Sequence, residues 1–136
     1  MLLNHLSERE KELFLELCHL IANIDQEYSQ EEMSYIEDYR SEMGLSEYDY
    51  SLQGLSYSEI VHEIRSISSK ENRRRIIIEI MALVKADGRL HDHENELLNR
   101  LKGDFDLEGD ILKRIIGALD EVTKAYGEIY AIVEGR

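Results

Sequence analysis

The 136-residue chain contains no proline, so no position is barred from continuing a helix by a missing amide donor or a locked φ. Apolar residues recur at three- and four-residue intervals nearly throughout, and no stretch alternates as a half-buried strand does. The chain is predicted to be all-α, a compact bundle of about six helices in a single domain spanning 1–136. With 43% apolar residues it has enough core material to fold without disulfides or a structural metal. Its single cysteine, Cys18, lies in an apolar stripe and reads as a buried, inert thiol in a reducing cytoplasm.

Charge narrows the partners. The formal net charge is −13, which argues against a general grip on nucleic acid or anionic lipid and suits cationic partners or divalent metals. The opening residues lack the apolar run of a signal peptide, and the longest apolar stretch, Ile76 to Val84, is interrupted by Glu79, so no membrane segment is expected.

Helix starts are marked by serines with glutamate three residues later: Ser7 with Glu10, Ser29 with Glu32, Ser56 with Glu59 and Ser68 with Glu71. Gly44 is placed as a C-terminal cap of the second helix, and 45–55 reads as the longest connection. The fourth helix, apolar on most sides from Ile76 to Val84 and ending at Asp87-Gly88, is expected at the centre. A fifth runs roughly from His93 to Lys102 and ends at Gly103. The sixth carries Leu112, Ile115, Leu119, Val122, Tyr126, Ile129 and Val133, a heptad-like seam that packs inside the monomer or extends to a partner, including a homodimer through this helix.

Shifting the chain by 62 residues lays Asp25 on Asp87, Glu32 on Glu94 and Leu45 on Leu107, with apolar positions in register. This predicts two pseudo-symmetric helical repeats, about 7–67 and about 68–136. The phrase Ile80-Met81-Ala82-Leu83-Val84-Lys85-Ala86-Asp87-Gly88-Arg89-Leu90, followed by Glu94, Leu97 and Leu98, resembles the helix, Ala-Asp-Gly turn and Glu-containing helix of the TerB-like family, named for tellurite-resistance TerB. In the first repeat Asn23-Ile24-Asp25-Gln26 replaces the glycine turn. The resemblance implies an all-α fold, no established catalytic activity, association with stress-response or membrane-linked protein complexes, and divalent metal at Asp25, Glu32, Asp87 and Glu94.

The residues themselves allow both a site and a structural role. Acids on either side of a tight turn can offer oxygen ligands to a hard cation, yet Glu32 and Asp25 can equally serve their own helix and turn. His91-Asp92-His93-Glu94 contains zinc-ligand types, so His91 and His93 are weaker metal candidates, and a metal-dependent hydrolase built on His91 to Glu94 is the alternative function. Arg73-Arg74-Arg75 at a helix start opposes the macrodipole and calls for salt bridges or an anionic partner. Tyr28, Tyr35, Tyr39, Tyr48, Tyr50 and Tyr57 supply either core or a partly exposed contact surface. Cys18-His19 are adjacent and cannot form a nucleophile-base pair, and no phosphate-binding glycine loop is present. The expectation is a non-enzymatic binding or scaffold module with protein partners, a divalent ion at most as cofactor, and no nucleic acid.

Overall fold

A computed structural model describes residues 2–23, 30–45, 49–85 and 92–136, with the side chains of Gln30, Glu31, Glu32 and Tyr35 outside that description. The described residues hold a 3-10 turn at Leu3–His5 and six α-helices, α1 Glu8–Ala22, α2 Gln30–Met43, α3 Tyr57–Ile67, α4 Lys70–Val84, α5 Asp92–Asp104 and α6 Ile111–Glu134. No strand occurs among them.

The capping boxes at Ser7 and Ser56 form as expected. Each hydroxyl accepts the amide of the glutamate three residues on, at 3.2 Å, and each glutamate side chain accepts the serine amide. The cap of α4 differs from expectation: it is Ser69, whose hydroxyl accepts the Asn72 amide at 3.1 Å, and not Ser68 with Glu71. Ser68 ends α3 instead, and its buried hydroxyl donates to Glu10 Oε2 at 2.5 Å. Glu10 also accepts from Asn72 Nδ2 at 3.0 Å, so one carboxylate caps α1 and ties it to the α3–α4 junction. A buried acceptor of that kind needs its donors more than a helix start needs one particular serine. Ser69→Ala is expected to lower stability by about 1 kcal/mol. Glu71→Ala should stay within about 0.5 kcal/mol, both read from urea midpoints.

Two further boundaries depart from the sequence reading. Helix α5 runs through Gly103 to Asp104, and the left-handed residue that closes it is Asp106, φ 56°. Helix α4 ends at Val84 with Lys85 as its cap, while Asp87-Gly88 lie outside the described residues, as do Ser29 and the pairing expected of Glu32.

The spacing of 62 recurs in the backbone. Helix α1 begins and ends 62 residues before α4, and α2 begins 62 before α5. The Leu45 amide donates to the Arg40 carbonyl at 2.9 Å and the Leu107 amide to Lys102 at 3.0 Å, each following a residue with positive φ, Gly44 or Asp106. Both helix ends are thus closed by the same left-handed motif, which satisfies carbonyls that the helix leaves open.

Helix α4 contacts α1, α2, α5, α6 and the 3-10 turn. Its Ile76, Ile77, Ile80, Met81, Leu83 and Val84 are buried with Phe14, Leu17, Ile60, Ile64, Leu101 and Phe105 in one core, which confirms its central place. Tyr39 and Tyr50 belong to that core, so they form no exposed aromatic surface; Tyr57 is half-buried, and Tyr28 and Tyr48 lie outside the described residues.

Candidate functional site

Of the acids singled out from the sequence, Asp25 and Asp87 lie outside the described residues, as do His91 and the side chain of Glu32. Glu94 is described: it stands in the first turn of α5 and is buried, 6% exposed. His93 beside it is half-buried. Among the described residues no three His, Cys, Asp or Glu side chains gather as a metal site would require. Glu94 fits a hard cation by chemistry, being a carboxylate removed from bulk water at a helix start.

The described surface offers a different site, built by α2, α4 and the second half of α6. Helix α6 packs its early face on the bundle, burying Ile115 and half-burying Ile111, Leu112, Ile116 and Leu119. The apolar stripe then continues for about four more turns, but the bundle beneath it does not. Exposure rises from 41% at Val122 through 57% at Tyr126 to 79% at Val133, with Ile129, Tyr130 and Ile132 also open. Single exposed apolar residues are ordinary, whereas six on one helix leave an apolar face that the described residues do not cover.

Where that stripe leaves the bundle it forms one wall of a groove of about 570 Å³. Tyr39, Ala82, Leu119, Val122 and Tyr126 make its apolar part, and Asp38, Glu42 and Asp120 give it an acidic rim with Lys85 as the cation, while Glu79 lines it as a buried residue. Tyr39 is held from both sides: its ring meets Phe14 edge-on at 5.0 Å and 77°, and its hydroxyl donates to the Glu79 carbonyl at 2.9 Å. The Glu79 carboxylate is itself buried and accepts the Leu2 amide at 3.0 Å. Lys85 reaches across to Asp120 at 2.5 Å, linking the end of α4 to α6. The groove is therefore preorganised on its bundle side and open on its helical side.

Sequence reasoning identified the seam on α6 but not the rim, because Asp38 and Glu42 on α2, Lys85 at the end of α4 and Asp120 on α6 come together only through packing. Heptad periodicity reports that a face is apolar and is silent about what covers it.

Three titratable groups with shifted values, Glu16, Tyr50 and Cys18, belong to the fold. Glu16 is buried in α1; burial pushes its carboxyl up, but the Gln53 amide at 2.7 Å, the Tyr50 hydroxyl at 2.6 Å and the Leu55 amide at 3.2 Å outweigh this and leave it below the ordinary value. Tyr50 is pushed up to about 12 by burial and by that same carboxylate. Cys18 is fully buried, and burial holds its thiol well above the ordinary value, so it is no thiolate at neutral pH. Among the described residues no helix is long and apolar enough to cross a membrane.

No curated protein and no solved structure matches the chain. The model of one family, described as tellurite resistance protein TerB, matches residues 15–116, which runs from α1 into the first turns of α6 and leaves the uncovered end of α6 outside it. The chain belongs to the TerB family of tellurite resistance proteins.

Proposed function

We propose that the chain is a non-enzymatic, cytoplasmic protein-binding module in which the groove and the uncovered face of α6 receive an amphipathic helix from a partner protein. The observation that carries this reading is the continuation of the α6 apolar stripe past the edge of the bundle, beside a groove already walled on its other side. A helix laid there meets an apolar strip flanked by Asp38, Glu42 and Asp120, so its polar face should be basic. The matching test uses a labelled amphipathic peptide of leucine and lysine, about 14 residues long, followed by fluorescence anisotropy. Saturable binding is expected, weakened at least about tenfold by Val122→Asp with Ile129→Asp. A scrambled peptide of equal charge should bind no better than the variant. Equal binding of the two peptides would reduce the attraction to bulk charge and contradict the reading.

Asp25, Glu32, Asp87 and Glu94 are the residues that would hold a divalent ion, and occupancy there would adjust the same scaffold. The burial of Glu94 at the start of α5 supports this assignment. Calorimetric titration with calcium, magnesium, manganese and zinc is expected to give saturable binding that Asp87→Ala and Glu94→Ala abolish. Heat that is absent, or indifferent to both substitutions, removes the ion from the account.

A second reading, self-association through α6, is favoured by the heptad spacing of the exposed Val122, Tyr126, Ile129 and Val133. Sedimentation of a chain truncated after Glu121 separates it from the first reading, since its specific outcome is loss of a dimer with the fold intact.

A further inference from the structure

We infer that a second cavity, on the side of α6 where Lys70, Arg74 and Arg114 converge, is a binding site for a phosphate monoester with an apolar body. The cavity measures about 450 Å³, within the range of ligand pockets. The first turns of α4 contribute Lys70 and Arg74, and the first turns of α6 contribute Arg114. Ile78, Ile111 and Ile115 supply its apolar lining. In a chain with 29 acids against 16 bases, basic side chains would be expected to find carboxylates. Among the described residues the side chains of Arg74 and Arg114 form no ion pair or hydrogen bond, and both arginines are exposed. Glu108, the one acid at the cavity, is 90% exposed and stands 3.9 Å from Lys70.

The arginines on either side of Arg74 in the triplet do have partners. Arg73 donates to the Phe105 carbonyl at 3.0 Å, and Arg75 donates to Asn72 at 2.6 Å, so both are engaged in the fold. Arg74 and Arg114 instead keep free guanidinium groups at two helix starts, where positive charge opposes the macrodipole. A bound anion reverses that penalty. A single carboxylate would need only one guanidinium, whereas a phosphate monoester carries close to two charges and three acceptor oxygens, enough for two arginines and a lysine. The isoleucines beside the cations give the organic part of the ester a place to lie.

The test is calorimetric titration of the full chain with octyl phosphate, with a parallel arm of flotation on vesicles containing phosphatidic acid. Saturable binding in either arm supports the site, and the arm that responds identifies the ester as soluble or lipid-borne. Arg74→Glu and Arg114→Glu should each weaken it by at least about tenfold, while Arg75→Glu should change it less than about twofold. Both charge reversals put acids near helix starts, where they are favoured, so thermal melting should not fall. The assignment is overturned by silence in both arms or by binding that survives both reversals. It is equally overturned if a glutamate-rich peptide binds where octyl phosphate does not, which would make the surface a protein contact.

Discussion

Phe14→Ala is expected to lower stability by about 4 kcal/mol, toward the upper end for an aromatic truncation in a close-packed core. Phe14 is fully buried in α1, where few neighbours can collapse into the space it leaves. The change also removes the edge-on partner of Tyr39, worth roughly 1 kcal/mol beyond the buried area. Total stability for a domain of this size is about 5–15 kcal/mol, so the variant should unfold at a much lower urea concentration. Because Tyr39 lines the groove, peptide binding should weaken even where the variant is still folded. Phe14→Leu, which keeps most of the volume, should lose no more than about 1.5 kcal/mol.

Glu16→Ala is expected to lower stability by about 3 kcal/mol, or about 10 °C in Tm. The carboxylate accepts the Tyr50 hydroxyl and the backbone amides of Gln53 and Leu55, and so holds the segment before α3 against α1. Alanine strips these donors of their acceptor while leaving Tyr50 buried. Glu16→Gln retains one acceptor oxygen and should recover part of the loss. The same interactions set a pH dependence. With its folded pKa below the ordinary value, Glu16 contributes stability that is fully present above its unfolded pKa of about 4.3 and is lost as pH falls through the lower folded value. Urea midpoints of the wild type and Glu16→Gln should therefore converge on acidification below about pH 4.

Local signals carried most of the fold. The boxes at Ser7 and Ser56 were readable because capping depends on residues three apart, and Gly44 because positive φ favours glycine. The start of α4 was misread by one residue because Ser68 and Ser69 both precede suitable partners. The choice between them is made by Glu10, distant in sequence, which draws in the Ser68 hydroxyl. The end of α5 was misread for a related reason: glycine was expected at the close, but Asp106 takes the left-handed conformation and Gly103 remains helical. Aspartate tolerates that region better than most side chains.

The candidate surfaces were less legible. The α6 seam was visible as periodicity, but its emergence from the bundle after Leu119 depends on where the other helices stop. Glu10, Glu16 and Glu79 are all buried, which nothing in their local spacing signals. Their donors come from segments far along the chain, so no spacing rule would have found them. Arg74 stood out within a basic triplet and lies one turn after Lys70 on α4, whereas its association with Arg114 exists only once α4 and α6 are packed.

Mapping amide chemical shifts as the leucine-lysine peptide is titrated into isotope-labelled protein addresses the binding face most directly. Perturbations should concentrate on α6 from Leu119 to Val133, on Asp38 to Glu42 of α2 and on the end of α4 near Ala82 and Lys85. Perturbations centred on α3 and α5, or spread evenly over the acidic surface, would contradict the assignment of that face.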